Sequence, residues 1–506
     1  MKLPTQLFLF FGIIFCALTG VAQKIKNQDE LIQKHAIESF KDLYALLSIP
    51  NDAHYPKDIE KNIKWCKDAF AKRGFTTTRL ETPTVPLLLA ERKAKKASKT
   101  VLIYLQIDGQ PVDSSKWFQE SPWTPTLKEK NASGEWKAIS YERLYENYNP
   151  DWRVFARSAS DAKGPAVAFL GSLDAMIAAK AEPNYNIKVI MDFEEELGSP
   201  RLPAAVTRYK KELASDMFII FDGPRHVSNE PTLSFGARGI SDITITTYGP
   251  RQPVHSGNYG NYTPNPAMRL SQLLASMKDK EGRVIIPGYY DGTTLTDKEK
   301  ETLKQVPDNE EEINKFLGIA EADKIGENFQ ESLQYPTLNI RGLDALYVGD
   351  KARTLIPAQA TAEIDIRLVP TSDPDRLIGL VKKHIEDQGY HLTAGEPTEE
   401  ERQKYPRLAS FTSSTSYLAF QTPFDSEVGL WLSRAMTRAF GKEPIKIRTA
   451  GGSIPISPFV ITLGIPAVAV PTVNADNNQH APNENIRIGN YVEAVKAFYY
   501  ILTEKL

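Results

Sequence analysis

Four short, almost continuously apolar runs recur along this chain, with helical stretches between them. The runs are TVLIYLQID (100–108), NIKVIMDF (186–193), SDMFIIFD (215–222) and PAVAVPTV (466–473). Their length and their content of β-branched residues are typical of strands that are buried on both faces. Buried strands that alternate with helices predict an α/β domain with a mostly parallel sheet, because parallel strands are joined by helical crossovers that cover the sheet.

The sequence pattern changes after Arg238. ISDITITTYGP (240–250) and TAEIDIRLVP (361–370) alternate apolar and polar residues, as antiparallel strands with one exposed face do. The charged stretch between them, roughly 294–328, has a helical and solvated pattern, and the buried-strand pattern returns near the C-terminus. At 506 residues the chain is also too long for one core. We therefore predict an α+β domain at 238–422, inserted into an α/β domain that is formed by 23–237 and 423–506.

The N-terminal sequence MKLPTQLFLFFGIIFCALTGVAQK has the pattern of an export signal. Lys2 precedes an apolar run over 7–18, and small residues precede Gln23. We therefore predict a signal peptide over 1–22 and a periplasmic or secreted protein. The alternative is an uncleaved anchor, although the run is shorter than the roughly 20 residues of a membrane span. Removal of the signal leaves Cys66 as the one cysteine, so no disulfide forms within the mature chain.

Charge and motif content exclude several classes of function. Lysine and arginine total 61 against 63 acidic residues, so the chain lacks the basic surface that nucleic acids require. It also lacks the G-x-S-x-G elbow, the G-x-x-x-x-G-K-[ST] phosphate loop and the H-E-x-x-H helix. We expect no nucleic-acid partner and none of the chemistries that depend on those motifs.

Acidic and metal-capable side chains follow the apolar runs. In open α/β sheets, ligands bind beyond the carboxyl ends of the strands. Carboxylates gathered at one such edge repel one another unless a cation neutralises them, so the pattern predicts a divalent metal site. Each position taken alone also fits a helix cap or a solvated side chain. The candidates are Gln106, Asp108, Glu194, Glu195, Glu196, Asp222 and His480, with Asp161 in a serine-rich segment (SASD) that can cap the following helix.

Eight short motifs, in a fixed order, carry a resemblance to a known family. They are QIDGQPVD, RSASDAKGP, FEEELGS, FDGP, HSGNYG, RLVP, GGSIP and HAPNE. The chain resembles the carnosinase, aminoacylase and glutamate carboxypeptidase superfamily of dinuclear zinc peptidases over nearly its whole mature length. The resemblance implies a zinc-peptidase catalytic domain with an inserted lid domain that mediates homodimerisation. It also implies one or two zinc ions per chain, with manganese or cobalt as possible substitutes.

The resemblance also implies a role for each acidic candidate. Asp161 resembles the carboxylate that bridges two metals, and Glu196 and His480 resemble the remaining ligands of one of them. Asp222 resembles a ligand of the other metal. Glu195 resembles the general base, and the role that the resemblance gives Asp108 is to orient a ligand.

One position departs from the family pattern. Gln106 stands where the family has a metal-binding histidine, and an amide oxygen is a weaker zinc donor than imidazole and suits harder cations such as manganese. Our hypothesis is that the site of Asp161, Glu196 and His480 fills first, whereas Gln106 and Asp222 bind a second ion loosely.

The resemblance assigns four further residues to substrate contacts. His255 resembles the group that stabilises the developing oxyanion, often from the partner subunit. Arg367 resembles the residue that pairs with a substrate carboxylate, since a guanidinium can bind both oxygens. Gly452 and Ser453 resemble contacts to the same end of the substrate. These assignments imply a lid that closes over the metals.

The predicted activity is hydrolysis of an amide bond in dipeptides or small peptides with a free carboxylate. N-acyl amino acid deacylation uses the same core, and the sequence does not separate the two activities. A third alternative is a non-catalytic binding protein that has lost one metal site, which Gln106 motivates.

Overall fold

The computed structural model describes residues 27–95 and 97–506. The predicted signal peptide lies outside these residues. The described chain forms two compact units: unit 1 comprises the described residues up to Ser234 together with Thr422–Lys446 and Phe459–Leu506, and unit 2 comprises Phe235–Gln421 and Ile447–Pro458. Within the described part of the chain, we find no helix with the length and apolar character that crossing a membrane requires.

Strands and helices alternate along unit 1, whereas strands dominate unit 2. The strands are β1 (Thr76–Leu80), β2 (Leu87–Arg92), β3 (Thr100–Gln106), β4 (Thr126–Lys130), β5 (Trp136–Ala138), β6 (Arg153–Phe155), β7 (Asn186–Asp192), β8 (Met217–Ile220), β9 (Thr232–Ser234), β10 (Gly236–Tyr248), β11 (Val254–His255), β12 (Asn339–Asp344), β13 (Leu355–Ile356), β14 (Gln359–Leu368), β15 (His391–Thr393), β16 (Leu408–Tyr417), β17 (Phe420–Gln421), β18 (Ile445–Ile447), β19 (Ala450–Ser453), β20 (Ala467–Ala469) and β21 (Asn485–Arg487).

The helices follow the same numbering along the chain. They are α1 (27–38), α2 (Phe40–Leu47), α3 (Pro56–Ala71), α4 (Arg143–Asn147), α5 (Lys163–Ala178), α6 (Leu202–Arg208), α7 (Ser256–Tyr259), α8 (Pro266–Ala275), α9 (Asp297–Leu303), α10 (Glu310–Leu317), α11 (Phe329–Ser332), α12 (Pro374–Asp387), α13 (Glu399–Lys404), α14 (Glu427–Phe440), α15 (Ser457–Leu463) and α16 (Ile488–Thr503). Single 3₁₀ turns lie at Ser114–Lys116, Glu195–Leu197 and Gly349–Lys351.

The main sheet of unit 1 has eight strands in the order β1-β2-β7-β3-β8-β20-β9-β18. Its four central strands, β7, β3, β8 and β20, are parallel, and antiparallel pairs flank them. These four strands are the four apolar runs of the sequence, and their residues are almost entirely buried. The predicted α/β fold class is confirmed.

Two long helices of unit 1 pack together beside the sheet. α5 is buried along nearly its whole length, and α16 contacts it. The rings of Phe221, after β8, and Phe498, on α16, stack with their centroids 3.9 Å apart. The expected side-chain cap of α5 by the SASD segment is absent, because the residue before the helix is Ala162 and its side chain accepts no hydrogen bond.

Unit 2 is built on a seven-stranded, mostly antiparallel sheet whose main path is β12-β14-β10-β16-β15, with β15 and β16 parallel. β17 and β19 also pair with β10, β17 antiparallel and β19 parallel. β10 alternates buried and half-buried residues over 240–246, as its sequence predicts. The charged stretch 294–328 contains α9 and α10, whose residues are mostly exposed.

One segment lies in a different unit from the expected one. Ile447–Pro458 belongs to unit 2, although the sequence suggested that the whole of 423–506 completes the catalytic domain. The physical reason is that β19 pairs in parallel with β10, the long central strand of unit 2.

Candidate metal centre

The predicted polar residues of unit 1 lie just beyond the central strands of its sheet. Gln106 ends β3, and Asp222 follows β8 by two residues. The turn Glu195–Leu197 follows β7, and the loop after β20 leads to His480. Because these strands are parallel neighbours, their carboxyl ends bring residues that are distant in the sequence to one edge of the sheet.

Asp161, Glu196 and His480 come together in the geometry of a metal site. Nε2 of His480 lies 3.0 Å from Oδ2 of Asp161 and 3.2 Å from Oε2 of Glu196. One ligand-capable atom from each residue lies within 4.8 Å of the other two. The carboxylates are nearly inaccessible, with side-chain exposures of 9% and 4%, whereas the imidazole is 53% exposed. The two carboxylates of the site are therefore buried in the protein, whereas the imidazole of His480 is accessible to solvent.

The electrostatics of this centre favour a bound cation. Burial raises the pKa of Asp161 to about 6, and burial with repulsion from Asp161 raises the pKa of Asp222 to about 7. The pKa values of Glu195 and Glu196 are raised, mainly by burial. The hydrogen bond to Asp161, with the charge of Glu196, raises the pKa of His480 to about 9. Buried carboxylates that resist ionisation in this way are stabilised by a divalent ion, and one imidazole with two carboxylates suits zinc. The residues therefore fit the metal that the sequence predicts.

The glutamate pair is held in place by Asp108. Its two carboxylate oxygens accept the backbone N–H groups of Glu195 and Glu196, both at 3.0 Å. Gln110 Nε2 donates to Oε2 of Glu196 at 2.8 Å. The turn then ends at Gly198, whose φ of 80° lies in the left-handed region that glycine adopts without strain. Asp108 thus orients the turn that carries a predicted ligand and the predicted base.

Glu484 is a buried residue of this region to which the sequence gave no separate role. Its Oε1 accepts hydrogen bonds from the backbone N–H of Asp161 at 2.9 Å and from the N–H and hydroxyl of Ser160 at 3.0 and 2.9 Å. Its Oε2 accepts from Arg157 Nη1 and from the N–H of Ser158, both at 2.8 Å. Glu484 therefore fixes the loop that carries Asp161. The available signal was its place in HAPNE, four residues after His480.

Gln106 and Asp222 also lie at the carboxyl ends of the central strands, after β3 and β8. Gln106 is only 1% exposed and, among the described residues, neither atom of its amide has a hydrogen-bond partner. Asp222 accepts the N–H of Gly223 at 2.7 Å and lies outside the close group of three ligand atoms.

The predicted substrate contacts His255, Arg367, Gly452 and Ser453 all belong to unit 2. His255 precedes α7, and its Nδ1 accepts the N–H of Gly257 at 3.0 Å. Arg367 lies on β14, and Gly452 and Ser453 lie on β19. Burial and repulsion from Arg367 lower the pKa of Arg238 to about 10.

The chain is similar to known peptidases over most of its length. A profile described as the peptidase dimerisation domain of the M20 type matches residues 235–393. The human Beta-Ala-His dipeptidase is 28% identical over 436 residues, which cover 82% of this chain and 76% of the relative. The Cys-Gly metallodipeptidase DUG1 of Saccharomyces cerevisiae is 26% identical over 516 residues, which cover 95% and 96%. The crystal structure of an M20 family metallo-carboxypeptidase from Sulfolobus solfataricus superimposes with a TM-score of 0.74 at 28% identity, covering 92% of this chain and 98% of that one.

Proposed function

We propose, from the premise that this chain belongs to the M20 family of metallopeptidases, that it hydrolyses the amide bond of dipeptides or short peptides with a free C-terminal carboxylate. The observation that carries this proposal is the convergence of Asp161, Glu196 and His480 from three distant parts of the chain. The relatives that match most of the chain are named as dipeptidases and a metallo-carboxypeptidase. No observation favours N-acyl amino acid deacylation, or binding without catalysis, over this activity.

The metal is proposed to be zinc, held by Asp161, Glu196 and His480. A divalent ion held there would polarise the amide carbonyl and lower the pKa of a bound water molecule to about 7.

Glu195 is the proposed general base. It lies on the turn that Asp108 fixes, next to the ligand Glu196. Burial and the neighbouring carboxylates raise its pKa, which makes it a stronger base toward a proton of water. The deprotonated water oxygen would attack the carbonyl carbon of the amide, and Glu195 would pass its proton to the amine nitrogen as the C–N bond breaks.

Unit 2 is proposed to recognise the substrate. Arg367 would bind the C-terminal carboxylate with both guanidinium nitrogens, next to Gly452 and Ser453, and His255 would stabilise the oxyanion. The match to a dimerisation domain supports a homodimer through unit 2, which sedimentation analysis would test.

The first test is a panel of dipeptides, longer peptides and N-acyl amino acids, assayed with zinc or manganese after removal of metal. We expect hydrolysis of peptides with a free carboxylate and no hydrolysis without metal. Cleavage of N-acyl amino acids alone would assign the chain as a deacylase instead.

The second test separates catalysis from binding. Glu195→Gln should keep its metal, measured by elemental analysis, and lose about 10²–10⁴-fold in kcat. Glu194→Gln is the matched control, because Glu194 is the preceding residue and its side chain accepts from Thr84 Oγ1 at 3.0 Å. Equal activity of Glu195→Gln and wild type would refute the assignment of the base.

Export after removal of 1–22 is a separate proposal, supported by the charge and apolar run at the N-terminus. Intact-mass analysis of the protein expressed with its full N-terminus tests it. We expect the mature chain to begin at or near Gln23, and an unprocessed chain in the cytoplasmic fraction would contradict the proposal.

A further inference from the structure

Asn51 is a fully buried residue between α2 and α3 that lies outside the eight motifs of the sequence. Its side-chain Nδ2 donates to the carbonyl oxygen of Ile107 at 2.6 Å and to the hydroxyl of Ser158 at 3.0 Å. Its own carbonyl oxygen accepts the N–H of Gly109 at 3.0 Å. Asn51 therefore holds the main chain on both sides of Asp108 and joins it, through Ser158, to a second segment of unit 1.

Both of the segments that Asn51 joins lead to the proposed metal centre. Asp108 accepts two backbone N–H groups of the turn Glu195–Leu197, each at 3.0 Å, so its position decides where the proposed base and one metal ligand lie. Ser158 lies three residues before the ligand Asp161, in the loop that leads into α5. A shift of either segment would therefore change the distance between the turn and Asp161.

The three segments meet at very short distances. A Cβ atom at Gly109 would lie 2.1 Å from Oγ of Ser158 and 3.2 Å from each of the two side-chain polar atoms of Asn51. The same Oγ donates to the carbonyl oxygen of Asp108 at 3.5 Å. Because closely packed interiors leave little room for adjustment, these contacts fix the three segments relative to one another.

The segment that carries Asn51 is itself held from α5. Lys163, the first residue of that helix, is fully buried, and its Nζ donates to the carbonyl oxygens of Leu46 at 2.9 Å and Ile49 at 2.6 Å. Lys163 lies two residues after Asp161 in the sequence. The segment of Asn51 is therefore anchored next to Asp161 at one end and bound to the main chain around Asp108 at the other.

We propose that Asn51 is a positioning residue, which fixes the distance between the loop of Asp108 and the loop of Asp161 and thereby the distance between the proposed base and the metal. Its effect on catalysis rests on the proposed function, whereas its effect on metal binding does not depend on the reaction. Asn51 acts through the main chain around Asp108 and through Ser158, so it should influence the rate of the reaction rather than the binding of the peptide.

The main test is Asn51→Leu in the full mature chain, which keeps the size of the side chain and removes both donated bonds. Zinc affinity, measured against a competing chelator, should fall by about tenfold, since groups that orient a ligand are worth roughly 10–100-fold. At saturating zinc and well below the unfolding midpoint, kcat should fall by at least about tenfold and KM should stay within about twofold, because small displacements of catalytic groups slow the reaction. A role in stability alone would lower the midpoint and leave the kcat of the folded enzyme unchanged.

Gly109→Ala disturbs the same contacts from the other side. It keeps the amide of Asn51 and adds a methyl group 2.1 Å from Oγ of Ser158, so the hydroxyl has to move. Zinc affinity and kcat should fall as in Asn51→Leu, and this variant carries the test if Asn51→Leu does not fold. The double variant should lose less than the product of the two single losses, because both changes act on one set of contacts; fully multiplicative losses would count against the proposal.

Asn490→Leu is the matched control. Asn490 is also fully buried in unit 1, and its Nδ2 also donates two hydrogen bonds, to Oδ1 of Asn229 at 2.6 Å and to the carbonyl oxygen of Thr472 at 3.0 Å. This variant should lose thermal stability and keep the zinc affinity and kcat of the wild type. Equal losses of zinc affinity and kcat in the two leucine variants would refute a specific role of Asn51.

Metal binding and activity together separate this inference from the proposed function. An active wild type whose Asn51→Leu variant keeps both kcat and zinc affinity would overturn the positioning role and leave the proposed function intact. Weakened zinc binding in Asn51→Leu, with no peptide hydrolysed by the wild type, would support the positioning role and count against the proposed function.

Discussion

Replacement of Glu484 by glutamine should damage both the stability of unit 1 and its affinity for metal. Glu484 is fully buried, and its two oxygens accept five hydrogen bonds. Gln is the same size but has only one acceptor oxygen. In glutamine one of the two oxygens is replaced by an NH₂ group, which cannot accept. At least two of the five donors then lose their acceptor and point at this NH₂ group instead.

The magnitude follows from which donors are lost. If the side facing Arg157 changes, a guanidinium that is 3% exposed loses its carboxylate partner, and such a loss costs about 3–5 kcal/mol. If the other side changes, Asp161 and Ser160 lose their acceptor, and unpaired buried donors cost roughly 1–3 kcal/mol each. Both estimates begin near 3 kcal/mol, so we expect a loss of at least about 3 kcal/mol in the free energy of unfolding. We also expect metal affinity to fall by roughly 10–100-fold, as when the partner of a ligand is removed.

The assay combines a thermal unfolding curve of the metal-free protein with a zinc titration against a competing chelator. Glu493→Gln is the matched control, because Glu493 also pairs with a buried arginine of unit 1, Arg225. Among the described residues, that pair is separate from the hydrogen bonds that hold the loop of Asp161. The control should lose stability and keep its zinc affinity. Wild-type zinc affinity in Glu484→Gln would refute the argument that this residue positions a metal ligand.

Three further predictions concern pH, thiol reactivity and the glutamate turn. The folded-state pKa values of Asp161 and Asp222 are raised to about 6 and 7, so the folded metal-free protein binds more protons than the unfolded chain. Its thermal midpoint should therefore fall as pH rises from about 4 to 7, and added zinc should remove this fall; a midpoint of the metal-free protein that rises over this interval would contradict the assignment. Cys66 is 2% exposed, and burial raises the pKa of its thiol to about 12, so a disulfide reagent at pH 8 should label the denatured protein and not the native one. Asp108→Asn replaces one of the two oxygens that hold the turn Glu195–Leu197, so it should reduce kcat by at least about tenfold; a change in KM alone would contradict the role.

The sequence predicted the parts of the fold that depend on local hydrophobic pattern. β3, β7 and β8 were recognisable because a strand buried on both faces must be apolar along its length. Their polar ends indicated the metal centre for the same reason, since a carboxylate directly after such a strand lies at the edge of the sheet. Each of these features depends on about ten consecutive residues, so the local sequence is sufficient to predict it.

The parts that could not be predicted depend on side chains that meet across long separations. The SASD segment predicted a helix cap, but the hydroxyl of Ser160 donates to Glu484 instead, 324 residues away. The strand β19 was not expected, because Gly451 and Gly452 favour a turn and only its pairing with β10 makes the segment a strand. In both cases the local sequence permitted two structures, and a distant partner decided between them.

Two buried carboxylates hold the acidic ligands of the proposed metal centre in place. The backbone N–H of Glu196 is fixed by Asp108, and that of Asp161 is fixed by Glu484. A buried carboxylate thus anchors the main chain of each acidic ligand, so these side chains are placed before the ion arrives. Since an ordered ligand loses less entropy on binding, this arrangement should strengthen metal binding beyond what the donor atoms alone provide.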